Sequence, residues 1–583
     1  RNYRTNWKLI LSISVLAVLS IGAIITTPLI MRHLINIVTD SVLIGENTIE
    51  PGVLVFWTTL LIVFIAISFI AKGQMQSKML AFGNELTTDL SNNTYSSVLR
   101  SEQLDINKFD KELILNSIVE KSSKIGNEYV GKNLLNFFYE LLLLSAIIIT
   151  LLAINPIFAL ATMVTLPLFH VATQQITKLI DKRQEIKNDL SRKKNLLLRD
   201  NLDQIKNIKL LNGVREEEVK YSNLLDRHNK VDMQINSLSN YNNGLIANLL
   251  TGIILAFVVG YGVYVSLLNG IGENDLGHLG TIVATLILIP QTFPLFRSLM
   301  DTEFRPSYIA DEVETINDFL TLKPENRGDS VQQLDEIYSL KFKDVSFDYG
   351  RDTKFTMADL NFEIKKGEKL GVLGLSSSGK TTLADLFTKI VRVKQGSITI
   401  NNCDINKINT YYLRDLIAVV PQDAKLFYGT IEENIRYPHG FDEYKYNDAL
   451  NRCRLKSVIN TLDKRDKTIV DVNSTLLTPA EVQKVAIANA LYKDSKIVLL
   501  DDATSKMDQN TEQEIIDEVY KLKNKIIIMI SNRIHNLTKC DKIMILNNGR
   551  IIEYGKTEEL LDNKKSTFAK MMSEYEVTKT RVG

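Results

Sequence analysis

Residues 374 to 382 read Gly-Leu-Ser-Ser-Ser-Gly-Lys-Thr-Thr, and the chemistry this spacing can do is to hold a triphosphate. The glycines let backbone N–H groups turn inward around phosphate oxygens, and a helix opening at the lysine adds its N-terminal positive pole. In that reading Gly374, Ser376, Ser377, Ser378 and Gly379 form the cradle together with Thr382. Lys380 reaches the outer phosphates, and Thr381 presents a hydroxyl to Mg²⁺. The flanks agree: a strand-like run at 369–373 leads in and a helix-like run at 382–387 leads out, which is the context a phosphate loop requires. Binding of a nucleoside triphosphate is therefore expected.

A second candidate lies further on. Ile497-Val-Leu-Leu-Asp501-Asp502 is an apolar run ending in acid, the pattern of a buried strand that delivers a carboxylate to Mg²⁺ at the C-terminal edge of a sheet. It resembles a Walker B motif. Around these two motifs, strand-like runs at 338–347, 369–373, 417–420, 496–500 and 525–530 alternate with helical ones. Such alternation predicts an α/β domain with a mainly parallel sheet, beginning near residue 326. The three cysteines, Cys403, Cys453 and Cys540, all fall in this polar part without metal-ligand spacing and suit a reducing cytosol as buried thiols.

The elements that must carry this domain are of another kind. At 583 residues the chain exceeds one ordinary core, and its net charge of +1 argues against nucleic acid as a partner. Six apolar stretches, at 9–31, 53–71, 134–154, 157–176, 244–268 and 277–296, are long enough to cross a hydrocarbon core of about 30 Å as helices. Arg1, Arg4 and Lys8 hold the N-terminus in the cytosol, and the first stretch is too long for a signal peptide. With eight residues ahead of it, a fused peptidase is not expected. The loops 34–52 and 269–276 and the Asn155-Pro156 turn contain no Lys or Arg, whereas 72–133 and 177–243 contain many, which places the latter two in the cytosol. Both read as helix throughout, as two long hairpins able to carry mechanical contact to a soluble domain. Glu140, His170 and Gln291 are the polar candidates within the spans, and Pro290 with Pro294 predicts a bend in the last one.

Six spans, two cytosolic hairpins and a phosphate-loop domain together resemble a half-transporter of the ATP-binding cassette (ABC) family with the exporter-type fold. The resemblance covers essentially the whole chain. It implies a multidomain fold: a six-helix all-α transmembrane domain over 1–325, then an α/β P-loop nucleotide-binding domain over 326–583. Tyr349 is similar to the aromatic that stacks on adenine, and an aromatic face suits a planar base. Gln422 is similar to the family's Q-loop glutamine, which the resemblance places near Mg²⁺ and the hairpins. The cofactors implied are ATP and Mg²⁺, with Thr381, Gln422 and Asp501 as metal-side residues.

Three departures bear on catalysis, for which Asp502, Asn532 and Gln422 are the candidates. Asp502 stands where hydrolysing relatives carry Glu, one methylene longer. Asn532 replaces the switch-loop His and cannot become cationic. The family's Leu-Ser-Gly-Gly-Gln aligns with Leu477-Thr478-Pro479-Ala480-Glu481, in which Pro479 lacks an N–H, Ala480 resists positive φ and Glu481 brings negative charge towards phosphate. Cassettes in the family pair head to tail, so a homodimer would carry every defect in both sites. A heterodimer with a second half-transporter is the expectation, this chain contributing a hydrolysis-impaired site. The expected cargo is an amphiphilic small molecule, lipid or peptide moved across a plasma membrane, with a bacterial one favoured by the Lys-, Asn- and Ile-rich composition. Import of a metal chelate or haem-like ligand, and a nucleotide-sensing regulatory subunit, are the alternatives.

Overall fold

A computed structural model of the chain describes residues 7–44, 51–241, 247–268, 277–300, 306–325, 334, 336–350, 356–374, 378–472 and 474–582. It divides into two compact units, one of residues 1–96 with 111–320, the other of residues 97–110 with 321–583. The domain boundary expected at 325 thus falls near 320, and the tip of the first hairpin belongs with the second unit. That tip is bound there by backbone: Glu102 N–H donates to Lys323 O at 3.3 Å and Glu325 N–H to Arg100 O at 2.7 Å.

The first unit is helical. Its long members are α1 (Trp7–Ile44), α2 (Pro51–Arg100), α3 (Leu135–Ile154), α4 (Pro156–Asp203), α5 (Val214–Asn240), α6 (Ala247–Leu268) and α7 (Gly277–Met300). Six helical stretches among the described residues are long and apolar enough to cross a membrane. Residues 244–246 of the expected fifth span lie outside the described residues. Large apolar side chains face outward along these helices, Phe69 at 82 % exposure among them, as lipid contact requires. Inward, Met75, Ile147, Val258, Leu288 and Phe293 close a common core. The Asn155-Pro156 turn has a local cause. Asn155 is extended, its side chain accepts from Ile157 N–H at 2.9 Å, and Pro156 supplies a first helical residue that needs no N–H. Helix α7 continues through Pro290 and Pro294.

The hairpins are not helix throughout. The first breaks at Ser101–Glu102, makes a single turn at Gln103–Ile106, and resumes at Lys111. Its return limb is π-helical over Ser117–Lys121 and Lys124–Leu134. Gly126 and Gly131 lie one i→i+5 step apart and both meet Gly83 of α2: a Cβ on Gly83 would sit 2.7 Å from Gly126 O and 2.9 Å from Gly131 Cα. Backbone touches backbone there, an approach that side chains would prevent. The second hairpin breaks at Gln204 and again at Asn212, whose φ of 54° ends the short helix Ile205–Leu210.

The second unit holds the strands β1 (Ser339–Asp348), β2 (Thr356–Lys365), β3 (Lys369–Gly374), β4 (Gln395–Ile400), β5 (Cys403–Asp404), β6 (Ile417–Val420), β7 (Gly429–Thr430), β8 (Ile469–Val470), β9 (Ile497–Asp501), β10 (Ile526–Ser531), β11 (Lys542–Asn547) and β12 (Arg550–Lys556). A six-stranded sheet runs β12-β11-β3-β10-β9-β6, parallel except for β12. Its central strands are buried on both faces, so they read as unbroken apolar runs rather than alternations. A separate antiparallel sheet, β2-β1-β4-β5, covers one side through Phe342, Phe362 and Ile398.

Candidate nucleotide site

The site forms where β3 and β9 end, beside each other across β10. β3 runs into the phosphate loop, of which Ser376 and Ser377 lie outside the described residues. Gly379 closes the loop at φ 103°, a left-handed conformation that glycine adopts freely, and the helix Lys380–Phe387 begins at the next residue. A Cβ on Gly374 would lie 2.3 Å from Ser378 Oγ and 3.2 Å from Leu546 O, so any side chain there would push the Ser378 hydroxyl aside. Lys380 Nζ donates to Gly374 O at 2.7 Å. The Tyr349 hydroxyl shares a 2.9 Å hydrogen bond with Thr382 Oγ1, and its ring stands edge-on to Phe347.

β9 places two acids against this loop. Asp501 is 4 % exposed, and burial together with the adjoining Asp502 pushes its carboxyl up to about 6, against the pull of Lys380 and a hydrogen bond with Thr381. Asp502 turns off the strand at φ 45°. One carboxylate oxygen accepts from Asn532 N–H at 3.1 Å and the other lies 3.7 Å from Lys380 Nζ. Asp502, the carboxylate expected to be catalytic, is therefore turned towards the phosphate-loop lysine. Asn532 leaves β10 with its side chain exposed. Gln422 follows β6, also exposed, and its carbonyl accepts from Gln483 Nε2 at 3.3 Å.

These residues fit the groups the motifs imply. Ser378 Oγ is buried without a hydrogen-bond partner among the described residues, a donor left over for phosphate. Thr381, Asp501 and Gln422 offer only hard oxygen donors, as Mg²⁺ prefers.

The loop 477–481 departs from expectation. Thr478 and Glu481 form a reciprocal capping box at the start of the helix Pro479–Lys493, with Pro479 in its first turn. Glu481 Oε2 accepts from Thr478 N–H at 2.7 Å and from its hydroxyl at 2.9 Å. Glu481 is thus folded back on the helix N-terminus instead of pointing its charge outward, and Ala480 is helical, so the loop asks no positive φ of it. The reason is local: Thr-Pro-x-Glu is a helix-start sequence, and its own cap consumes both donors of Thr478.

Two further features had no signal in the sequence. Asp385, in the helix after Lys380, is pushed up to about 6 by burial. The first hairpin's tip, by way of Glu102 and Leu104, lines a cavity of about 230 Å³ with Tyr349, Lys389, Arg392 and Thr410, and Glu102 pairs with Arg392. The first hairpin's tip thus lies beside Tyr349.

A phosphate loop, a buried acid-terminated strand beside it and a six-helix membrane unit together define an ATP-binding cassette transporter. The family model for the ABC transporter transmembrane region matches residues 9–290, and that for the ABC transporter cassette matches 357–505. The chain belongs to this family, with an exporter-type transmembrane domain, and is a multi-pass membrane protein with a cytosolic cassette. It is 27 % identical over 409 residues to the ATP-dependent lipid A-core flippase of Wigglesworthia glossinidia brevipalpis, covering 68 % of each. To the mitochondrial iron-sulfur clusters transporter ATM1 of Candida albicans it is 29 % identical over 433 residues, 70 % of this chain and 56 % of that one. To ABC transporter C family member 9 of Arabidopsis thaliana it is 33 % identical, over only 16 % of that protein's length. The solved structure of a bacterial Atm1-family ABC exporter with ATP bound shares the fold at TM-score 0.78 and 20 % identity, over 98 % of this chain and 99 % of that one.

Proposed function

We propose that this chain is one half of an ATP-driven exporter that moves an amphiphilic small molecule, lipid or peptide across a bacterial plasma membrane by alternating access. Its partner is a different half-transporter, and the site built on Lys380 is impaired in hydrolysis. The observation that carries this is the placement of Asp502: a short carboxylate, held by Asn532 N–H and turned towards Lys380, is poorly placed to orient water. The self-capped Thr478 supports it, because a loop whose donors are already used gives little to a phosphate. Bound Mg²⁺ would neutralise phosphate charge beside Asp501 and Thr381. Lys380 and Ser378 would hold the nucleotide, Tyr349 would receive the base after releasing Thr382, and the tip at Glu102 would pass that rearrangement to α2. Relatives named for lipid A-core and iron-sulfur clusters agree with a bulky or amphiphilic cargo.

The test is the ATPase rate of the purified chain alone and with the second half-transporter. The proposal expects turnover slower alone by about 10² or more, and a partial recovery in Asp502→Glu. Brisk turnover by the chain alone would refute the impaired site. Turnover indifferent to every lipid, peptide or porphyrin offered to the assembled pair would favour a regulatory subunit instead.

A further inference from the structure

Glu512 is 1 % exposed on the helix Gln509–Tyr520, 11 positions beyond Asp501. Its Oε1 accepts from Thr504 Oγ1 and from Asn536 Nδ2, each at 2.7 Å. Its Oε2 accepts from Arg533 Nη1, with His535 Nε2 3.8 Å away. Arg533 Nη2 in turn donates to Ser505 O at 3.0 Å. Thr504 and Ser505 sit in the turn that follows Asp502, while Arg533 directly follows Asn532, whose N–H holds Asp502. One buried charge therefore fastens the turn after β9 to the loop after β10. A charge is expensive to bury, and an apolar residue of similar size would fill the volume without linking the loops.

We infer that Glu512 is a positioning residue, which, through Arg533 and Thr504, sets Asn532 and Asp502 relative to the terminal phosphate. Ion pairing and hydrogen bonding tie the turn at 503–508 to the loop at 532–536: Glu512 takes Thr504 from the first and Arg533 and Asn536 from the second, and Arg533 also reaches Ser505. The inference rests on the reading of Asn532 and Asp502 as the residues facing the γ-phosphate, and a loss confined to ATP is what separates it from a general loss of nucleotide binding through Lys380, which lies 3.7 Å from Asp502.

The experiment measures Mg–ATP and Mg–ADP affinities of the full chain in lipid nanodiscs by titration calorimetry. Glu512→Gln keeps an acceptor for Thr504 but turns an amide towards Arg533, and it is expected to weaken ATP by about tenfold while ADP stays within about twofold. Arg533→Gln, on a more exposed side chain, is expected to do the same and decides the matter if the first variant does not fold. Arg533→Lys, which keeps the ion pair, is expected to retain most of the ATP preference. Asn532→Ala combined with Glu512→Gln is expected to lose no more than Glu512→Gln alone. Equal weakening of ATP and ADP in both Gln variants, or no weakening, would overturn the inference. If Asn532→Ala by itself leaves the preference intact while Glu512→Gln removes it, Glu512 keeps its role through Asp502, and it is the reading of Asn532 that fails.

Discussion

At Asp501, the proposed Mg²⁺ ligand, the surroundings decide how readily the carboxyl ionises. Burial at the end of β9 and the neighbouring Asp502 raise its carboxyl from 3.8 to about 6. A carboxyl raised in the folded state favours the folded form while neutral, so this contribution is present below about pH 4 and is lost as pH climbs to about 6. Above that, the ligand-free cassette carries an unfavourable buried anion that Mg²⁺ would relieve. Asp501→Asn is therefore expected to raise the thermal midpoint of the nucleotide-free chain at pH 7.5, to leave it unchanged near pH 4, and to abolish Mg²⁺-dependent tightening of ATP binding. In the wild type that tightening is expected to fade as pH drops through about 6. Differential scanning fluorimetry against pH, with and without Mg–ATP, reads all of these.

At the scale of elements, what the sequence disclosed was what local spacing encodes. β3, β6, β9 and β10 are short apolar runs buried on both faces, and each lies within a residue or so of its expected position. The antiparallel sheet was only partly visible, because β2 and β4 are half-exposed strands whose pairing with β1 depends on partners 8 to 60 residues away. The capping box at Thr478 and Glu481 was legible in principle, since Thr-Pro-x-Glu is itself a helix start, although the same residues also align with a phosphate-binding loop. Glu512 could not be read at all: as an acid in a first helical turn it resembles a dipole partner, and its real partners come from two other segments. The same holds for Gly83, unremarkable in a helix until Gly126 and Gly131 are brought against it. Gly83→Val places methyl groups where the backbone of the π-helical limb lies, and should cost about 1 to 3 kcal/mol or more of stability. A surface-facing glycine in the same helix, Gly73, with nothing near its would-be Cβ, should tolerate the change to Ala at little cost in melting temperature.

The whole molecule joins a lipid-facing helical unit to a cassette that takes the first hairpin's tip, residues 97–110, into its own body. Tyr349 lines a cavity with that tip and also bonds Thr382, so the residue proposed to receive the base is also one that meets the hairpin tip. Large apolar side chains at the second hairpin's tip, Leu202, Leu210 and Leu211, are 68 %, 73 % and 81 % exposed within this one chain, which accords with a partner subunit covering them. Every part of this scheme depends on nucleotide held by Lys380 and the loop around it. The direct measurement is equilibrium dialysis of labelled ATP, with Mg²⁺, against the full chain in nanodiscs and against Lys380→Ala. One ATP bound per wild-type chain is expected, with a loss of about 10² or more in affinity for the variant. Folded wild-type chain that binds no ATP, or a variant that binds it equally well, would contradict this scheme.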